Sequence, residues 1–190
     1  MQAVSTTTRR QALAALAAFA AAGLGHAHAQ GVPAEVQSEL AGARLQGRGR
    51  LRFIGMAIYE ARLWTLAHVP AAEWAAAPLA LEIEYARALD GAMIAERSLK
   101  EMRRQGDVAA STAERWLAQM KALFPNVRDG DRITGVYRPG EALRFFVNGA
   151  LKGEVLDAAF ARFFVGIWLS PQSSEPGLRE ALHGSKAGGS

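Results

Sequence analysis

A chain of 190 residues, half of them hydrophobic and 21% charged, has the make-up of a globular protein. Its formal charge of +4, which falls to +2 once the first 29 residues are set aside, is too close to neutral for the strongly basic footprint that nucleic-acid binding leaves. Having no cysteine, it has no disulfide, thiolate nucleophile, iron–sulfur ligand or thiolate zinc site, and packing alone must hold it together.

The first segment reads as an export signal. Arg9 and Arg10 precede an alanine-rich run of about fifteen residues, which ends in Ala27-His28-Ala29 before Gln30. A membrane span needs about 20 apolar residues, so this is not a transmembrane segment. The order Thr-Arg-Arg-Gln-Ala-Leu resembles a twin-arginine signal, although Ala12 stands where a large apolar residue is usual. Cleavage after Ala29 removes two positive charges and no negative ones, lowering the formal charge from +4 to +2. The expected location is the periplasm. It also removes His26 and His28, leaving His68 and His183 with no paired spacing. Neither a histidine metal centre nor a Ser-His-Asp triad is expected, and no metal or other cofactor.

Residues 30–45 are polar, contain Pro33, and read as a leader or tether with room for one short helix. From Gln46 to Trp64 the alternation predicts strand, too long for one straight strand, with a bend or turn at Gly55. Its odd positions Leu51, Phe53, Ala57, Tyr59 and Leu63 should meet the core. The even positions run basic (Arg48, Arg50, Arg52), then apolar (Ile54, Met56, Ile58), then charged (Glu60, Arg62). Residues 68–78 form a connector, with a helical turn around Trp74. The segment LALEIEYAR predicts a half-solvated strand with Glu82 and Glu84 on its wet side. A helix should run from Asp90-Gly91 to about Arg104, and a second should open on Ser111-Thr-Ala-Glu114 as a capping box and stop at Pro125. A three-strand meander follows, turned at Pro139-Gly140 and Asn148-Gly149, the latter a strong hairpin signal. Behind Asp157 as N-cap comes a helix apolar nearly all round, then a short one opened by Pro176. Residues 46–183 therefore make one α+β domain, an antiparallel sheet with helices layered on one face, and 184–190 a disordered tail.

Few motifs carry chemistry. Gly47-Arg-Gly49 lacks the third glycine and the following helix of a dinucleotide loop. Asp129-Gly130-Asp131 lacks the ligands of a calcium loop and reads as a turn. The arginine row is either a solvated strand end that blunts sheet pairing or a guanidinium fork above an apolar pocket, suited to an amphiphile's carboxylate. The aromatic run FARFFVGIW is likewise either core or ligand-lined wall.

Four phrases together, RLRFIGMAIYEARLW, YARALDGAMIAERSLKEM, FPNVRDGDRITGVYRPGEALRFFVNGALKGEV and FARFFVGIWLSPQSSEPGLREAL, resemble the bacterial chalcone isomerase-like family from about Gln46 to Leu182. The resemblance implies an open-faced β-sandwich: a large antiparallel sheet, helices over one face, and a ligand cleft between. That family includes isomerases that cyclise chalcones and non-catalytic members that bind fatty acids. Where the isomerases carry catalytic hydroxyl or amide groups, this chain offers Ile54, Ile94, Glu101 and Phe163, while the family arginine falls near Arg48 to Arg52. Apolar side chains cannot stabilise a developing enolate. The resemblance thus implies an exported, non-catalytic binder of a small hydrophobic carboxylate such as a fatty acid. Arg50 or Arg52 would hold the head group, and Ile54, Met56, Ile94 and Phe163 would line the cavity. The alternatives are an isomerase of another unsaturated carbonyl compound, using Glu101 or Tyr59 for proton transfer, and an envelope protein that binds a partner and fills its own cleft.

Overall fold

The computed structural model of the protein describes residues 31–184. The expected export signal at 1–29 and all of the expected tail beyond Gly184 lie outside the described residues. Six strands, β1 (Arg44–Phe53), β2 (Met56–Thr65), β3 (Leu79–Tyr85), β4 (Arg132–Arg138), β5 (Ala142–Val147) and β6 (Ala150–Val155), form one antiparallel sheet in chain order. The expected bend at Gly55 is a full reversal. Ile54 and Gly55 both have positive φ, 48° and 77°, and join β1 to β2 as a two-residue hairpin.

Helices α2 (Gly91–Met102), α3 (Ala110–Leu123), α4 (Ala158–Leu169) and α5 (Pro176–Leu182) lie against one face of this sheet, as expected. Asp90 caps α2 by accepting from the N–H groups of Ala92 and Met93, and Asp157 caps α4 by accepting from Phe160. The expected capping box of α3 does not form. The helix starts two residues early, behind Ala109 rather than Ser111, so Ser111 falls inside its first turn and no side chain caps it. On α4, Phe160, Phe164 and Trp168 recur at four-residue spacing and face the sheet, where Phe164 meets Phe145 edge-on at 5.1 Å between ring centres.

Gly47 and Gly49 let α5 approach β1. A Cβ on Gly47 would collide with the carbonyls of Ala181 and Leu182, and one on Gly49 with the Leu178 side chain. That close approach is what the Gly-Arg-Gly sequence provides.

The opposite face differs from expectation. The expected leader or tether at 30–45 is not free over its described residues, 31–45: α1 (Ala34–Glu39) packs on that face, where Val36 and Leu40 join Trp64, Ala80, Val136 and Phe146 in a second apolar core. Nor is Glu82 wet. It is 2% exposed, accepting from Trp64 Nε1 (2.9 Å), Arg62 (3.2 Å) and Arg132 (2.8 Å), while Arg132 also pairs with buried Glu35 of α1. Burying these charges is tolerable only because they are paired with one another.

Candidate ligand-binding cavity

Between the sheet and helices α2 and α4 lies a cavity of about 410 Å³, within the size range of small-molecule pockets. Its floor is apolar, from Leu81, Ile83, Ile133 and Phe145 of the central strands. Gly135 completes the floor, and its missing side chain leaves room above β4. Ile94, Phe164 and Trp168 form the helical wall. At the mouth stand Arg52, Phe53, Met93, Arg97 and Glu175, all exposed.

A bulge shapes that mouth. Leu51 pairs with Tyr59 but Arg52 with Ala57, so Ile58 is the extra residue of β2. Consecutive strand residues ordinarily point to opposite faces; with the bulge, Leu51, Arg52 and Phe53 all border the cavity.

The polar groups inside are few. Trp168 Nε1–H donates to the Tyr59 hydroxyl at 2.9 Å, which leaves the Tyr59 proton available to an acceptor in the cavity. Tyr85 stands edge-on to Tyr59, ring centres 6.2 Å apart. Burial pushes both phenols well above their ordinary value, so both are neutral donors at physiological pH. Ser98 spends its hydroxyl on the Ile94 carbonyl (2.8 Å). Glu101 is buried beside Arg97, which reaches its Oε1 at 2.8 Å, with Arg104 3.6 Å from its Oε2. Among the described residues no group of histidines and carboxylates could hold a metal ion.

The residues expected at the site are dispersed. Arg52 at the mouth and Ile94 in the wall border the cavity. Arg50 does not. It lies on the other face of the sheet, paired with Glu60 at 2.8 Å. Ile54 and Met56 are also outside, at the hairpin tip, 81% and 50% exposed, because the chain reverses there and leaves them beyond the paired part of the sheet. Phe163 turns away to pack on Trp116, ring centres 5.6 Å apart, and its neighbour Phe164 takes the cavity face, a turn of about 100° along the helix.

Arg97, Tyr85 and Gly135 were not expected as lining residues, whereas Trp168 belongs to the aromatic run that was read as either core or ligand-lined wall. Arg97 carried a signal: Ile94, Arg97, Ser98 and Glu101 follow the three- and four-residue spacing of one helix face. Tyr85 and Gly135 depend on which strand lies beside which, a long-range outcome.

The fold has a counterpart in the crystal structure of an Arabidopsis thaliana fatty-acid binding protein, with a TM-score of 0.58 and 15% identity, covering 76% of this chain and 88% of that one. A protein of Haemophilus influenzae, described as an uncharacterized protein, is 30% identical over 111 residues. That match takes in 56% of this chain and only about half, 52%, of the relative's length. The sequence profile described as chalcone isomerase-like matches residues 26–184, which takes in the whole of the expected domain at 46–183 and residues before it. The chain therefore belongs to the chalcone isomerase-like family.

Proposed function

We propose that the protein is a non-catalytic binder of a small hydrophobic carboxylate, such as a fatty acid, held tail-inward in the cavity. The observation that carries this reading is an apolar cavity of about 410 Å³ with two guanidinium groups, Arg52 and Arg97, at its mouth. A tail of about ten methylenes, at ~0.8 kcal/mol each, offers ~8 kcal/mol before the costs of ordering are met. Guanidinium forks and the Tyr59 hydroxyl suit a carboxylate that stays near water. The fatty-acid binding named for the Arabidopsis fold neighbour supports the same class of ligand.

The chemistry an isomerase needs is thinly supplied. Of the positions compared with the isomerases, Ile54 and Phe163 lie away from the cavity, Ile94 is apolar, and Glu101 is engaged by two arginines. Tyr59 offers a neutral donor; of the carboxylates that act on it, Glu101 is held at Oε1 by Arg97, while its buried Oε2 accepts no hydrogen bond.

Titration of the delipidated chain with straight-chain fatty acids and the matching alcohols tests the reading. The acids should bind with affinity that grows with chain length, and the double variant Arg52→Gln/Arg97→Gln should weaken acids while sparing alcohols. Gly135→Leu should weaken both at least tenfold, because its Cβ fits at ordinary contact from Leu143 (3.5 Å) and the rest of the side chain fills the cavity. Unchanged binding by Gly135→Leu would overturn the site, and turnover of an enone by the parent would overturn the absence of catalysis. We also infer action in the periplasm, from the twin arginines and the Ala27-His28-Ala29 end of the signal. Protein recovered from the periplasm should begin at Gln30; a mature chain retaining Met1–Ala29 would refute this.

A further inference from the structure

Four large apolar side chains stand in water around the cavity mouth: Phe53 (63% exposed), Ile54 (81%), Met56 (50%) and Met93 (67%). Phe53 and Met93 border the mouth itself, and Ile54 crowns the hairpin beside it. Ile54 is doubly anomalous. Its φ of 48° lies in the left-handed region, which is a true outlier for a β-branched residue and one that asparagine or glycine would occupy at lower cost. A position that accepts both backbone strain and an exposed apolar side chain points to a role outside the fold.

The charges beside the tip indicate the partner. Arg52 and Arg87 have no carboxylate partner among the described residues; Arg87 extends along the hairpin to Met56, Nη1 to Sδ 3.8 Å. The nearby carboxylates are mostly engaged. Glu60 is held by Arg50 and Arg62, Glu101 by Arg97 and Arg104, and Asp90 by the N–H groups of α2, while Glu175 stands on the rim formed by the start of α5. An apolar point flanked by unpaired guanidiniums matches the two layers of an anionic bilayer surface, phosphates outside and acyl chains beneath.

We propose that the β1–β2 tip, with Ile54 at its apex, docks this protein on anionic lipid bilayers with the cavity mouth against the surface. Docking is independent of what the cavity holds, since Ile54 and Arg87 do not line it. An amphiphile could then pass between bilayer and cavity without crossing bulk water.

Co-sedimentation with vesicles of mixed phosphatidylcholine and phosphatidylglycerol, and of phosphatidylcholine alone, tests this on the full chain and on Ile54→Asn and Arg87→Gln. Comparing each variant with the parent cancels any contribution of residues 1–29. The parent should bind the mixed vesicles about tenfold or more tightly than the neutral ones. Ile54→Asn should lose about tenfold on the mixed vesicles and Arg87→Gln about fivefold. Both variants should keep the parent's melting temperature or exceed it, and both should take up fatty acid in solution as the parent does, so a failure here is separable from a failure of the cavity reading. Ile54→Asn binding mixed vesicles as tightly as the parent would overturn the proposal. So would a parent that ignores vesicles, including one that crosslinks through the tip to a protein instead.

Discussion

Two hairpins in this sheet have nearly the same turn and opposite chemistry. Asn148-Gly149 joins β5 to β6 with φ values of 50° and 84°, and Ile54-Gly55 joins β1 to β2 with 48° and 77°. Asn148 is tied down: its Oδ1 accepts from Arg132 N–H at 2.8 Å and its Nδ2 donates to Asp131 at 2.9 Å. Ile54, 81% exposed, forms no comparable bond. The same backbone thus carries, at one end of the sheet, the residue that turn geometry prefers and, at the cavity mouth, one that geometry disfavours. The difference teaches that the far hairpin is built for stability, whereas the near one gives up stability for what it presents.

Exchanging the two residues is the sharpest test of that contrast. Asn148→Ile should cost about 3 kcal/mol in chemical denaturation, from left-handed strain on a β-branched residue and two lost hydrogen bonds. Ile54→Asn should stabilise by about 1 kcal/mol, raising the denaturation midpoint; if it destabilises, the tip is not strained and the contrast fails. Arg50→Ala, on the same hairpin as Arg52 but on the opposite face, should cost only about 0.5 kcal/mol, since the Arg50 side chain is largely exposed and Glu60 keeps Arg62, and should leave ligand titrations unaltered.

The smallest effect is a titration. The Asn148 amide and the Arg128 N–H hold the Asp131 carboxyl below the ordinary carboxylate range. A group depressed in this way favours the folded state above its unfolded value, near 3.9, and that contribution disappears as pH falls through the folded value. The Asp131 carboxyl resonance should therefore titrate at lower pH than a model aspartate, and Asn148→Ala should move it upward. No movement would separate Asn148 from Asp131.

The same pair of hairpins marks how far the sequence could be read. Asn148-Gly149 announces itself, because turn chemistry and flanking alternation agree. Ile54-Gly55 does not, since only Gly55 suits the turn and Ile54 continues the pattern of the strand. Reading that pattern through the reversal placed Ile54 and Met56 in the cavity and Arg50 at its mouth. The order of strands and helices, the α2 and α4 caps and the layering of α2 to α5 were legible in local spacing. The α1 packing was not, because the apolar even positions Trp64, Ala80, Val136 and Phe146 belong to four different strands and form a patch only once paired. Arg52 and Ile94 were found by different routes, the first from the arginine row, helped by a bulge that no local signal marks, and the second from the family resemblance.

Helix α1 has a further consequence for assembly. Its anchors lie far along the chain: Glu35 accepts from Thr134 at 2.9 Å, and Glu39 receives Arg138 and Arg144 at 2.9 and 2.7 Å, partners about a hundred positions distant. Contacts so remote in sequence close late, after the loop between them has been drawn in by other pairings. During synthesis helix α1 must wait for strands β4 and β5 to leave the ribosome before its polar anchors have partners. The beginning of the domain is thus secured only after most of the sheet has been made, and until then the apolar patch beneath it stays open to water.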